Sequence, residues 1–364
     1  MSDPAGGAGT NLPRRVEDIP TPCLVVDLDV FEANVEAADR LAQGTGKRIR
    51  PHVKTHRTPA LALRQQTAVA IGATCATVGE AEAMVEAGID DVLVANEVVS
   101  PRKIERLVAL ASRVRVGVAV DSEAGLANLS EAASRAGASV DVLVDVDVGL
   151  GRCGVPSAEA ARDMAARAEG APGVRFAGLM GYEGRIRASR EGRAAGIADA
   201  YDRLEAAAKE VESAGLNVGC VSSAGTSTLP EALEAGIVTE IQAGTYCVME
   251  SDLDGLGLPF RHALWVGATA ISTAPRRAVL DAGRKSLSCD YGPPVPLLAG
   301  ADVKSVHEEH TTLELEDSAP PIGSMVRLRP GHARLTCNLH DAMWLVRGSE
   351  VVDRVPVSAR GRSD

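Results

Sequence analysis

The sequence predicts an α/β fold: a (β/α)8 barrel of TIM type followed by a C-terminal β-rich domain. Three observations predict it. From Thr21 to about Glu250, short apolar runs alternate with amphipathic Ala/Glu/Arg segments. Such alternation builds βα units on a parallel sheet, and about eight units close into a barrel. After about Leu258 the period changes to short, alternating, turn-separated runs. The 364 residues also suffice for one barrel of about 250 residues and a smaller domain.

The elements follow in order. Pro22–Asp27 reads as a strand, and Asp29–Leu41 as a helix capped by Asp27 or Asp29. Ile49–Lys54 is a strand ending in polar groups, followed by a helix over Pro59–Gln66. Five further pairs alternate strand and helix: Ala73–Val78 with Gly79–Ala87, Asp91–Ala95 with Pro101–Ser112, Val114–Val120 with Ser122–Ala136, Val140–Val148 with Ser157–Ala168, and Phe176–Met180 with Arg193–Ala214. Val218–Ser222 and the run from Glu240 to Ala243 complete the set. Glycine follows several helices (Gly88, Gly137, Gly215, Gly236), as helix ends prefer. Ala263–Ala274, Ala278–Asp281, Val303–His310, Thr312–Leu315, Met325–Leu328 and Met343–Val346 read as strands of an all-β module. The expected division is a flexible tail over 1–18, a barrel over 19–257 and a β-rich domain over 258–364.

Composition narrows the function. Aromatics are 2% of the residues, so Ala, Val and Leu fill the core and stacked nucleic-acid platforms are disfavoured. The net charge of −11 disfavours phosphate backbones and anionic membranes. No apolar run reaches the ~18 residues of a membrane span, and the first fifteen residues lack a signal-peptide core. Seven scattered cysteines without a CxxC pair imply free thiols and a reducing cytoplasm.

In a parallel barrel the functional groups sit just after the strands. That rule selects Lys54, Gly151-Arg152, Tyr182, Ser223–Thr226 and Gly244-Thr245. By position alone Lys54 is either a solvated strand-end lysine or a desolvated amine of imine-forming character. Ser223-Ala-Gly-Thr-Ser-Thr228 and Gln242-Ala-Gly-Thr-Tyr246 each follow a late strand, where small residues offer backbone N–H groups to an anion. With an early-strand lysine they describe a cofactor bearing one phosphate and one aldehyde. Gly149-Leu-Gly-Arg-Cys-Gly154 opens no helix, so Arg152 is either a rim salt bridge or a partner for a phenolate oxygen. Later, His332, His340 and Asp341, with Glu308, Glu309 and His310, offer ligands, but their spacing matches no closed zinc site.

These motifs, in this order, resemble the D-threonine aldolase and D-serine dehydratase family of fold-type III enzymes, which use pyridoxal 5′-phosphate (PLP). The resemblance runs from Thr21-Pro22 to Val351–Gly361, and Arg50-Pro-His-Val-Lys-Thr-His-Arg-Thr58 is its most specific part. It implies that Lys54 carries PLP as a Schiff base, that Arg152 lies beside the PLP hydroxyl, that Tyr182 is an active-site tyrosine, and that Gly225, Thr226, Gly244 and Thr245 form the phosphate cup. It also implies a head-to-tail homodimer, with each site shared between one barrel mouth and the β-module of a second subunit.

The sequence departs from the family at the motif His-X-Asp or His-X-Cys, which holds a divalent metal. Here it reads His332-Ala-Arg334, and a guanidinium is no metal ligand. His332 is thus a metal ligand without its partner, and Arg334 is expected to pair with a substrate carboxylate or hydroxyl. The resemblance implies a lyase acting on D-3-hydroxy amino acids, by retro-aldol cleavage or by elimination, with His332 taking the β-hydroxyl proton in an aldolase. The alternatives are an amino-acid racemase or epimerase, with Tyr182, His310 or His332 as second base, and a non-catalytic PLP carrier.

Overall fold

The computed structural model describes residues 12–184 and 192–364. Eight parallel strands form one sheet: β2 (Arg48–Ile49), β3 (Ala73–Cys75), β4 (Asp91–Glu97), β5 (Arg115–Val120), β6 (Val140–Asp145), β7 (Val174–Gly181), β8 (Cys220–Ser223) and β9 (Glu240–Ile241). Their order is β2-β9-β8-β7-β6-β5-β4-β3. The two edges, β2 and β3, meet through the parallel bridges Ile49–Ala70 and His52–Thr74, which closes the barrel. Around it run α1 (Leu28–Ala42), α2 (Pro59–Arg64), α3 (Val78–Glu86), α4 (Pro101–Ala111), α5 (Glu123–Ala136), α6 (Ala158–Gly170), α7 (Arg193–Ser213) and α8 (Leu229–Glu234).

Local chemistry sets these elements. Asp27 caps α1, its Oδ1 accepting from the N–H groups of Asp29 (3.0 Å) and Val30 (3.2 Å). Thr77, Ser122 and Ser157 cap α3, α5 and α6 in the same way. Gly137 ends α5 in the left-handed region at φ 65°, where a Cβ would cost energy. The barrel strands are Val-rich because both of their faces are buried. Val92, Val94, Val116, Val118, Val142 and Val144 pack in the main core, while Leu93, Ala119, Leu143 and Met180 form a second cluster on the opposite strand faces.

The C-terminal sheet holds β10 (Leu264–Ala274), β11 (Arg277–Leu280), β12 (Val295–Pro296), β13 (Ala301–Val306), β14 (Thr311–Leu315), β15 (Met325–Arg329), β16 (Ala342–Arg347) and β17 (Glu350–Pro356). One short helix, α9 (Ala333–Asn338), interrupts the otherwise all-β run.

Four features depart from the sequence reading. The strand read over Ile49–Lys54 ends at Ile49, and Lys54 stands in a 3-10 turn, Val53–Thr55. The first strand, β1 (Cys23–Asp27), is not in the barrel. It lies between β10, antiparallel, and β16, parallel. Its apolar run suits either sheet, and Cys23 and Val25 are drawn into a cluster with Trp265 and Val346. Residues 14–18, expected as part of a flexible tail, run beside the β16–β17 turn. Val16 N–H donates to Ser349 O (3.0 Å), Val351 N–H donates to Arg14 O (3.1 Å), and Val16 and Ile19 are buried. The rest of that tail, residues 1–11, lies outside the described residues. Finally, α9 starts directly after His332, at a position read as strand or loop. All seven cysteines are free thiols, and no helix among the described residues is long and apolar enough to cross a membrane.

Candidate active site

The C-terminal ends of the barrel strands surround a cavity of about 350 Å³. Lys54 enters it from a single turn of 3-10 helix, Val53–Thr55, that follows β2. His52 caps this turn, its Nδ1 accepting from the Lys54 N–H at 3.5 Å. A buried polar chain lies next to the turn. His56 Nδ1 accepts from Thr58 N–H (3.0 Å), so its Nε2 carries the proton and donates to Gln65 Oε1 (2.9 Å). Gln65 Nε2 then donates to Tyr246 Oη (3.0 Å). Burial lowers His56 to about 4, so the chain is neutral. Burial first, then the charges of Arg334 and Arg152, brings Lys54 down to about 8, against the pull of Glu80. Burial and Lys54 push His52 well below its ordinary range, which keeps it neutral as well.

Two loops make a polar wall. Gly225 N–H donates to Thr228 Oγ1 (3.2 Å), and Tyr246 N–H donates to Thr226 Oγ1 (2.9 Å). Ala224 turns in the left-handed region at φ 67°. Buried Glu183 underlies this loop, accepting from Ser223 Oγ (3.2 Å) and from Thr228 Oγ1. A Cβ on Gly244 would fall 2.3 Å from His52 O and 2.9 Å from Thr55 Oγ1. Only glycine lets the loop after β9 lie against the Lys54 turn. The Tyr182 ring stands between the cations, its centroid 5.4 Å from Lys54 Nζ and 5.8 Å from Arg152 Cζ. Burial, then the charge of Glu183, raises the Tyr182 phenol.

The third wall comes from both parts of the chain. Glu250, almost wholly buried, meets Arg334, with Oε2 to Nη2 at 3.0 Å. The backbone N–H of Arg334 donates to Glu250 Oε1 at 3.3 Å. Arg334 Nη2 also donates to Tyr291 Oη at 3.5 Å. The His332 ring stacks on Tyr291 with centroids 4.3 Å apart, and its Nε2 is 3.6 Å from Glu250 Oε1. Arg334 and Tyr291 line the cavity, while His332 lies behind Tyr291 and does not. On the rim beside Cys153, Asp145 is buried against Glu97, and burial and that neighbour raise its pKa strongly.

The structure thus brings Lys54, Arg152, Tyr182, Gly225, Thr226, Gly244, Thr245 and Arg334 to one cavity within a single chain. Tyr291 and Arg334 of the β-module line that cavity from the same chain. The other ligand candidates are engaged elsewhere. His340 Nε2 bonds Ser286 O (2.7 Å), Asp341 pairs with Arg360, Glu309 pairs with Lys285 (2.7 Å), and His310 is exposed. Sequence reasoning missed Glu250, Tyr291, His52 and Glu183. Tyr291 carried a usable signal, being one of four tyrosines and set in a polar turn.

Residues 26–252 match the family described as "Alanine racemase, N-terminal domain", and residues 263–346 match "Putative serine dehydratase domain". The D-threonine aldolase of Arthrobacter sp is 39% identical over 95% of this chain and 94% of its own length. The chain belongs to the D-threonine aldolase and D-serine dehydratase family. A 3-hydroxy-D-aspartate aldolase of Paracoccus denitrificans (strain Pd 1222) is 37% identical, covering 95% of this chain and 93% of that one. The crystal structure of D-threonine aldolase from Filomicrobium marinum superposes with a TM-score of 0.93 at 38% identity, over 96% of this chain and 98% of that one. An alanine racemase of Clostridium difficile 630, at 13% identity and a TM-score of 0.76 over 93% of this chain and 99% of that one, shares the fold. The family is one of PLP-dependent lyases.

Two groups come with the family, and the residues treat them differently. A cofactor with one aldehyde and one phosphate fits, because a low-pKa lysine and two small-residue loops converge on the cavity. A divalent cation beside His332 does not fit. The His332 Nε2 is 3.6 Å from Glu250, which already holds the Arg334 guanidinium, and its Nδ1, on the other edge of the ring, is 3.8 Å from the exposed carboxylate of Asp290. A dication about 4 Å from that guanidinium would be repelled by roughly 8 kcal/mol at an effective dielectric near 20. Among the described residues, the His, Cys, Asp and Glu ligand atoms that gather in a trio are those of Glu97, Asp121 and Cys153, on the rim.

Proposed function

We propose that this chain is a PLP-dependent lyase that cleaves the Cα–Cβ bond of D-3-hydroxy amino acids. The observation that carries the reading is the convergence of Lys54 and both small-residue loops on one cavity, in a chain whose 36–39% identical full-length relatives are aldolases.

Bound PLP supplies an electron sink for charge developing at Cα. The chain does the rest. Lys54, poised at about 8, would hold the aldehyde end; as a free amine it would take the β-hydroxyl proton as the Cα–Cβ bond breaks and return a proton to Cα, so that glycine and the aldehyde leave with every proton accounted for. Backbone N–H groups around Gly225, Thr226, Gly244 and Thr245 would hold the phosphate. Arg152 would pair with the phenolate, and Tyr182, between the two cations, would wall the ring. Arg334 binds substrate from the third wall. His332 acts through Tyr291, whose ring it orients by stacking. The chain forms a head-to-tail homodimer in this reading, and the second copy adds to the cavity mouth; sedimentation velocity measures that state. Seven free thiols support a cytoplasmic setting.

The test is a panel of D-threonine, D-3-hydroxyaspartate and D-serine given to the holoenzyme. Glycine with an aldehyde or glyoxylate is the expected product. Keto acid with ammonia instead would make the chain a dehydratase, inverted amino acid a racemase, and no turnover a PLP carrier. Borohydride reduction should fix the cofactor to the peptide containing Lys54, and a label elsewhere would refute the assignment.

A further inference from the structure

We infer that Arg334 is a fixed cation standing where a metal ion would otherwise serve the substrate, and that it selects 3-hydroxy amino acids bearing a carboxylate on Cβ. The inference rests on the lyase reading above and deepens it.

Glu250 and Arg334 are joined from the end of the barrel and the start of α9, 84 residues apart. The Glu250 side chain is 1% exposed and that of Arg334 25%, so the carboxylate anchors and the guanidinium reaches the cavity. Both guanidinium contacts, to Glu250 Oε2 and to Tyr291 Oη, run through Nη2. Nε is enclosed and has no hydrogen-bond partner. Of the five N–H donors of a guanidinium, the two on Nη2 are engaged and the one on Nε is enclosed, so this group is held in place with its Nη1 donors left for a ligand.

The chemistry of that group decides what it takes. A metal ion binds a hydroxyl oxygen and increases its acidity. A guanidinium accepts no electron pair and stays protonated, so it offers a hydroxyl little. Its permanently charged N–H groups give a carboxylate charge-assisted hydrogen bonds. Among the described residues that line the cavity, Lys54 and Arg152 are occupied by the cofactor in the reading above, which leaves the Arg334 guanidinium for a substrate carboxylate. Every amino acid brings an α-carboxylate; only an acidic one brings a second. A cavity with a cation beyond the two that serve the cofactor suits the acidic class.

The experiment uses the holoenzyme, Arg334→Gln, Arg334→Lys and the double variant Glu250→Gln/Arg334→Gln. The double variant leaves no buried carboxylate unpaired, so it reports even if Arg334→Gln fails to fold. Metal content is measured by plasma mass spectrometry, and kcat/KM is measured on D-3-hydroxyaspartate and D-threonine with and without EDTA. Binding of the unreactive pair D-malate and D-lactate is measured by calorimetry. The expected wild-type protein holds substoichiometric metal, is unaffected by EDTA and binds malate more tightly than lactate. The glutamine variants should lose on the order of 10²-fold on D-3-hydroxyaspartate, the worth of a charge-assisted hydrogen-bonded pair. They should lose less than about 3-fold on D-threonine, within the range of a lost neutral contact, and lose the malate preference; the lysine variant should fall between. Equal losses on both substrates would show that Arg334 holds a group common to them and would overturn the selection. One tightly held divalent ion per chain, with activity lost on its removal, would overturn the fixed-cation role. If the wild type cleaves neither substrate, the lyase reading fails, and the malate–lactate comparison still decides what Arg334 binds.

Discussion

Asp141 and Asp145 lie at opposite ends of the same strand, β6, and their surroundings could hardly differ more. Asp141 sits where the strand begins. It takes ion pairs from Arg115 (2.9 Å) and Arg175 (2.6 Å), and Arg50 nearby joins Asp91 (2.7 Å) and Glu240 (2.9 Å). Asp145 sits where the strand finishes, buried beside another carboxyl, Glu97, and held protonated above the ordinary carboxylate range by burial and that neighbour. The rest of that end follows suit, with Lys54 and Arg152 facing a cavity instead of carboxylates. Charge at the closed end of the barrel is neutralised within the chain and serves stability. At the open end Glu250 holds Arg334, but the charge of Lys54 and Arg152 is left to be neutralised by what binds.

Four measurements can break or sharpen that contrast. The largest effect is expected at the open end. Lys54→Ala should abolish lyase turnover, by roughly 10⁴-fold or more, with an unchanged circular dichroism spectrum. Turnover within tenfold of wild type would remove Lys54 from the chemistry. At the closed end the sign reverses. Arg50→Ala leaves buried Glu240 without its guanidinium and Asp91 with Arg115 alone, at 3.6 Å, and should destabilise the fold by about 3–5 kcal/mol, while folded enzyme keeps its kcat. Normal stability in urea titrations, or a selective fall in kcat, would show that the two ends are not divided in this way.

Asp145 gives a subtler test. Its folded-state pKa is raised, so its contribution to stability is present below the ordinary Asp range and is lost as pH rises through the raised value. Asp145→Asn removes that dependence. Wild type should therefore weaken relative to the variant between about pH 5 and pH 8, by about 1–3 kcal/mol. Parallel stability curves would mean that Asp145 is charged and paired after all. The smallest effect concerns Lys54 in the protein freed of PLP. Its neutral fraction grows about tenfold per pH unit below its pKa. The rate of PLP capture should climb toward pH 8 and level off above it, and a rate still rising past pH 9 would contradict the depressed lysine.

The open end was also the legible end. Strand-end logic on a repeating βα pattern selects Lys54, Arg152, Tyr182 and both loops, because the side chain that follows a strand is aimed by the strand itself. The C-terminal wall was legible only where a motif departed from its family, at Arg334. Glu250 and Tyr291 belong to that wall through contacts spanning 84 and 43 residues, and no local period encodes such a meeting. The position of β1 was hidden for a related reason. Cys23–Asp27 has the apolar run of any buried strand, and nothing within five residues says which sheet will pair with it.

That pairing also governs how the molecule is made. β1 leaves the ribosome first, yet its two neighbours are β10 and β16, which emerge some 240 and 320 residues later. The barrel can assemble in the interval, since all eight of its strands have emerged by Ile241 and, β2 with β9 apart, they pair with near neighbours in sequence. The sheet that carries Arg334 is completed only when the end of the chain returns to its beginning. Such late, long-range closure slows folding. It also threads the barrel into the sheet as an insertion, anchored on both sides. The wall holding Arg334 and the mouth holding Lys54 are therefore tied by two passages of the chain, one into α1 and one into β10, so that swinging one from the other would strain both.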